Sequence, residues 1–237
     1  MKKNFLFLLI FIGFANSSQA QWFTKERLSN LENFDKRPIT WGYFLGFNSY
    51  DFKFEYNEDL GDNPHTDVQV NKQIGFNVGL IGDLRINDYL NLRLEPGLYY
   101  NQRDLIFPGL EEKRDYLREA KAAYIHIPLL LKVSTKRINN FKPFIMGGIS
   151  TAINLSNNAD HPDDNAQGEF RMTKNPLFYE LGFGVDFYLY YFKFTPSIRG
   201  VFALTNELVP DNDPNSPWTS NINSMESRAI FINFTFQ

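Results

Sequence analysis

Residues 73–101 read QIGFNVGLIGDLRINDYLNLRLEPGLYYN. Ile74, Phe76, Val78, Leu80, Gly82, Leu84 and Ile86 share one parity; Gly75, Asn77, Gly79, Ile81, Asp83 and Arg85 share the other. Beyond Asn87-Asp88 the alternation resumes. Leu90, Leu92, Leu94, Pro96, Leu98 and Tyr100 oppose Asn91, Arg93, Glu95, Gly97, Tyr99 and Asn101. Successive strand side chains point to opposite faces, so strict alternation predicts two strands. The Asn-Asp pair between them signals a tight hairpin. One face is apolar and the other carries charge. A soluble sheet turns its apolar face to a core; a membrane barrel turns it to lipid and keeps polar residues inside.

The rest of the chain favours the barrel. Residues 1–20 have the parts of a secretory signal: Lys2-Lys3, an apolar run over Phe5–Ala15, and the small-x-small site Ser18-Gln19-Ala20. Cleavage is expected before Gln21, with no lipid anchor, because no Cys follows it. Its removal takes two lysines and moves the formal charge from −3 to −5. That mild acidity argues against a nucleic-acid partner. Phe occurs 24 times and Tyr 12, yet mean hydropathy is −0.35, and no apolar run beyond the signal is long enough for a helical span. A thin apolar band with aromatic girdles and a polar lumen has this composition. A secreted soluble sandwich or lipocalin-like barrel shares part of it.

Three segments follow: signal 1–20, a periplasmic leader 21–38, and a barrel over 39–237. Eight strands are expected, over 39–54, 73–86, 90–101, 121–134, 142–154, 175–189, 192–204 and 226–236. Long and short connections alternate between them, as in outer-membrane barrels. A short helix is expected within Leu110–Lys121, and a bulge or local irregularity at Pro128, which has no N–H for the ladder. The architecture is thus an all-β, eight-stranded, antiparallel up-and-down transmembrane β-barrel, monomeric, exported to the outer membrane and surrounded by its lipid.

By parity the lumen collects Asp83, Glu95, Glu180 and Asp186 against Arg85, Arg93, Lys132, Lys193 and Arg199, with His126 among them. Eight strands leave an interior that side chains fill, so these charges must pair. A salt-bridged plug is the structural reading; an ion path or proton relay is the functional one. Catalysis has little support. Cys is absent, and His65 and His161 fall in polar loops. His161 with Asp160, Asp163 and Asp164 lacks the spacing of a calcium loop. Neither a phosphate-binding Gly loop nor a nucleophile elbow is present. No enzyme activity and no cofactor are expected.

Several pieces resemble a known family. They are Arg27-x-x-Asn30-Leu31-x-Asn33-Phe34-Asp35, Gly42-x-x-Leu45-Gly46-x-Asn48-x-x-Asp51-Phe52, Leu94-Glu95-Pro96-Gly97-Leu98-Tyr99-Tyr100 and Tyr124-Ile125-His126-Ile127-Pro128-Leu129-Leu130-Leu131-Lys132. To these add Pro143-Phe144-Ile145-x-Gly147-Gly148, Glu180-x-Gly182-x-Gly184-x-Asp186-Phe187 and Lys193-Phe194-x-Pro196-x-Ile198-Arg199. Together they are similar to the PorT family of Bacteroidota. The Glu-Pro-Gly and Ile-Pro-Leu pieces speak for the fold; the leader and the Lys193–Arg199 strand look closer to PorT. Membership would imply a role in type IX protein secretion, alongside other machinery proteins, and in gliding motility where that occurs. It brings no catalytic residues. The leader residues Asn30, Leu31, Asn33, Phe34 and Asp35 are then a candidate docking segment. The loops Leu110–Lys121 and Thr205–Met225 are candidate contacts for translocon or cargo. A generic structural or adhesive barrel with ligand-binding outer loops is the alternative, and a membrane-embedded enzyme using His126 a third.

Overall fold

The strands of the computed structural model close on themselves. It describes residues 29–57, 67–108, 110, 112–156 and 170–237, with backbone alone at 113–114. The signal segment, His65 and the His161 group lie outside the described residues. Among the described residues there are ten strand segments: β1 Ile39–Tyr56, β2 Gln69–Lys72, β3 Ile74–Arg85, β4 Leu90–Leu94, β5 Gly97–Ile106, β6 Leu117–Ser134, β7 Phe141–Asn154, β8 Leu177–Tyr188, β9 Lys193–Ala203 and β10 Ile222–Phe236. β2 with β3, and β4 with β5, each form one interrupted strand, giving eight antiparallel staves. β1 pairs with both β10 and β3, which closes the barrel.

Register partners can be followed once around. Trp41 leads through Gly82, Leu94, Leu129, Ile149, Tyr179, Phe202 and Arg228 to Asp51, ten residues above the start. A shear of ten over eight staves tilts the strands by about 40°. Outward positions are apolar over the lower part of the wall: Trp41, Leu45, Phe47, Ile74, Leu80, Ile145, Leu181, Phe183 and Ile230 are all exposed. In a soluble protein so continuous a belt would be untenable; facing lipid, it is what holds the barrel in place.

The interruptions have identifiable causes. Glu95 faces Pro128 across the ladder, and Pro96 faces Leu80. Glu95 N–H donates to Pro128 O at 3.3 Å and Leu80 N–H to Pro96 O at 2.9 Å. Neither proline can return the bond. The expected irregularity at Pro128 is therefore displaced: β6 itself runs unbroken in constant register, and the gap falls on the neighbouring stave. The register shift on this side of the barrel lies instead near Gln73. β2 pairs with β5 one residue out of step with β3, and the inward parity changes from Val70 to Gly75.

The expected helix over Leu110–Lys121 is corrected to a single turn, α1, Lys113–Tyr116. Residues 117–121 belong to β6, with Arg118 and Ala120 inside and Glu119 and Lys121 outside. β1, β5, β6 and β10 all run past the apolar belt, so three connections expected to be long are shorter. In this upper part the outward side chains are Asp51, Lys53, Glu55, Glu226 and Arg228, joined by ion pairs such as Lys53–Glu55 at 2.7 Å. Most of the inward ones form an apolar core. Phe52, Leu105, Phe170, Met172, Leu208, Ile222 and Met225 are buried together, with Trp218 packed against them. The pattern inverts where the outer face leaves lipid for water.

Candidate functional site

The lower lumen is built on register. Asp83 and Arg93 are direct cross-strand partners. Arg93 grips Asp83 Oδ2 with Nε at 3.0 Å and Nη2 at 2.8 Å, and reaches Glu95 Oε1 with Nη1 at 3.2 Å. The other Glu95 oxygen accepts from Arg199 Nη1 at 2.7 Å, and Arg199 Nε stands 2.9 Å from Glu180 Oε2. Glu180 Oε1 meets His126 Nε2 at 2.6 Å. The result is a chain of alternating sign, Asp83–Arg93–Glu95–Arg199–Glu180–His126, crossing from β3 to β6 through the interior. Beside it Lys132 donates to Asp186 at 2.6 Å, and Thr195 Oγ1 donates to the same carboxylate at 2.7 Å. All of these side chains are buried. Charges removed from water persist only when paired and hydrogen-bonded.

Eight of the ten lumen residues named from sequence thus fall into two connected groups. Arg85 and Lys193 do not join them. Arg85 lies at the lower mouth, partly exposed, and pairs with Asp88 of the hairpin turn. Lys193 is buried at that mouth with its Nζ 4.8 Å from the centre of the Phe34 ring. Above the ion pairs, Asn48 Nδ2 donates to Asn77 Oδ1 at 2.5 Å and Asn77 Nδ2 to Asn233 Oδ1 at 2.9 Å. Phe44 fills the space beside them because Gly79 and Gly97 lack side chains. A Cβ at either would lie 2.5 or 2.7 Å from its ring.

His126 is enclosed by Tyr99, Phe178 and Phe231, with ring centroids 5.0, 5.5 and 5.8 Å away. Among the described residues no group of three or more His, Asp or Glu side chains could hold a metal ion.

Sequence reading missed the upper cations. Arg103 is fully buried, donates to Ser227 Oγ at 2.9 Å and Tyr124 OH at 3.1 Å, and lies 3.8 Å from the centre of the Phe52 ring. Arg118 stacks on Trp218 at 4.6 Å. Both fall in the connection expected between the third and fourth strands, Arg118 within its expected helix. Continuing the parity of Tyr99 and Asn101, or of Tyr124 and Ala122, would have placed them inside.

The leader closes the floor. Phe34–Lys36 forms one 3-10 turn, with Leu31 at φ 50° just before it. Phe34 is buried beneath the lumen, edge-on to Tyr188. The Tyr188 hydroxyl donates to Asp35 Oδ1 at 2.5 Å. Asn30 N–H donates to Asn140 Oδ1 at 2.9 Å, and its side-chain amide to Tyr188 O at 3.0 Å. Arg137 donates to the carbonyls of Asn30 and Leu31. Of the five candidate docking residues, Asn33 alone is exposed; its Oδ1 accepts from Lys36 Nζ at 3.1 Å.

A closed, strongly tilted eight-stave barrel, with charge inside and an aromatic-rich apolar belt outside, defines a small outer-membrane β-barrel. A family model described as outer membrane protein beta-barrel domain matches residues 18–209, and the chain belongs to that family. Among solved structures it is similar to the outer membrane protein OprG of Pseudomonas aeruginosa, at 18% identity and TM-score 0.45, covering 83% of this chain and 94% of that one. Neisserial surface protein A is 10% identical with TM-score 0.43, covering 84% and 98%. The outer membrane protein AlkL is 13% identical with TM-score 0.39, covering 92% and 94%. No curated protein matches the sequence.

Proposed function

We propose that this barrel is a non-enzymatic accessory component of type IX protein secretion, and that it acts through its two ends rather than through its lumen. One observation carries the second half: the interior is closed at successive levels. The leader seals the floor, the ion pairs fill the lower lumen, and the loop core with Phe170, Leu208 and Trp218 fills the top. The secretion machine itself is supported by the resemblance of the leader Asn30–Asp35 and the strand Lys193–Arg199 to PorT. These two pieces meet, since Lys193 lies over the Phe34 ring. Deleting the gene in its native host and fractionating for cargo with C-terminal sorting domains tests the proposal. Cargo held in the periplasm and released on complementation is the expected result. Normal export overturns it. Replacing Leu31 and Phe34 by Ala should block export while barrel levels stay the same.

A generic adhesive barrel is favoured by a separate feature, the charged wall that rises above the apolar belt and carries Asp51, Lys53, Glu226 and Arg228. Binding of whole cells to host or matrix surfaces, lost on removing the outer loops, would favour it.

A further inference from the structure

The lower mouth holds a cavity of about 210 Å³ between the leader and the barrel floor. Phe34, Asp35 and Arg37 of the leader form one wall, and Lys136, Lys142 and Lys193 contribute from the barrel. Its lining is predominantly cationic. The three lining carboxylates are already engaged: Asp83 by Arg93 at 2.8 Å, Asp88 by Arg85, and Asp35 by the Tyr188 hydroxyl at 2.5 Å with Arg137 at 3.9 Å. Lys142 and Lys193 are different. Both are more than nine-tenths buried. Among the described residues neither has a carboxylate within 4.0 Å. Lys142 Nζ donates to the backbone carbonyl of Asp88 at 3.2 Å, and Lys193 Nζ faces the Phe34 ring.

An ammonium carries three donors, and a buried one calls for oxygen acceptors or a counter-charge. Every other buried cation of the lower lumen, Arg93, Lys132 and Arg199, has a carboxylate at 2.6–2.9 Å. Two buried ammonium groups opening on one cavity, with exposed Arg37 and Lys136 at its rim, are suited to a small anion that brings its own oxygens. We infer that the periplasmic mouth is a binding site for a single oxyanion of the carboxylate or phosphate class, held by Lys142 and Lys193. The cavity has room for a group of that size. Access is from the periplasm, since the ion-pair chain closes the lumen above it. The site does not depend on the secretion role and stands or falls separately from it.

The test uses the mature full-length chain refolded in detergent micelles. Inorganic phosphate, a short peptide with a free C-terminal carboxylate, and the same peptide amidated are titrated and followed by calorimetry and amide NMR. Saturable one-site binding is expected, with shifts confined to Phe34, Arg37, Lys142, Lys193 and their neighbours. Lys142→Gln and Lys193→Gln should each weaken it by about tenfold or more, the worth of one charge-assisted hydrogen bond. Lys36→Gln, which alters a cation outside the cavity, should leave it unchanged. Saturation by the free acid but not the amide identifies a peptide terminus as the source; saturation by phosphate alone identifies phosphate. Lack of saturation by any probe up to about 10 mM overturns the inference. So does binding that the double variant retains. Should the variants not fold, shifts in the wild type that map away from the floor overturn it equally.

Discussion

Arg199 is the residue on which the lower lumen turns, because its guanidinium holds two carboxylates at once, Glu95 at 2.7 Å and Glu180 at 2.9 Å. Arg199→Ala strands both in a dry interior and is expected to cost about 3–5 kcal/mol. Arg199→Lys should recover only part of this, since an ammonium cannot fork between two partners as a guanidinium does. Urea unfolding in micelles, followed by Trp fluorescence and heat-modifiable gel migration, measures the loss; a wild-type midpoint for Arg199→Ala would mean the ion-pair chain does not hold the barrel. Glu207, in the connection after β9, sets a pH dependence for the upper core. It is fully buried and accepts Ser227 N–H at 3.0 Å. Burial raises its carboxyl above the ordinary glutamate range, and Arg103 offsets this only in part. A raised folded value means the fold prefers the protonated form. That stabilisation is complete below the unfolded value, about 4.3, and is lost as pH rises through the raised one. Hydrogen exchange at Ser227 should therefore quicken with pH beyond its chemical trend in the wild type, and the excess should vanish in Glu207→Gln.

At the scale of elements, two prolines shape the ladder without disturbing register. Pro128 leaves Glu95 O without a return bond, and Pro96 does the same to Leu80 O. Pro128→Ala supplies the missing donor and is expected to raise stability by about 0.5–1.5 kcal/mol, with the new amide protected from exchange. A fall in stability, or rapid exchange at position 128, would show that the ring matters for packing instead. The strand ends teach a related lesson. Residues 102–106 and 117–121 fall in an expected loop and an expected helix because their apolar alternation fades. They pair in register as Gln102–Lys121 through Ile106–Leu117. Their outward residues meet water, so polarity on that face no longer reports the strand, and only the inward parity of Arg103, Leu105, Arg118 and Ala120 continues.

For the whole molecule, closure has a direct consequence. The lumen is occupied by paired charges below and by an apolar core above, so reconstituted protein is expected to show no porin-sized conductance in planar bilayers. Deleting residues 21–37 should not change this, because Arg93, Glu95, Arg199 and Glu180 lie above the floor and remain in place. Stable ohmic steps in the wild type would sink the plugged reading; steps only in the truncation would show that the leader, not the ion pairs, is the seal.

The alternation over residues 73–101 and its repetition along the chain were enough to determine an eight-stave barrel, which side chains of the belt face lipid, and which charges face inward in the lower lumen, though not Arg103 or Arg118 above it. Period two is a local property of backbone geometry, and a lipid-facing wall writes it plainly into composition. Sequence also grouped Asp83, Arg93, Glu95, His126, Lys132, Glu180, Asp186 and Arg199, since parity alone assigns a lumen. Which charge meets which was decided only by shear and tilt, because these set the height at which residues of distant strands face each other across the interior. Arg85 and Lys193 share the inward parity yet sit at the mouth, away from the ion-pair chain. Phe34 lies outside the strands altogether, and only the closed barrel, with Tyr188, Arg137 and Lys193 at its rim, turns it into a floor.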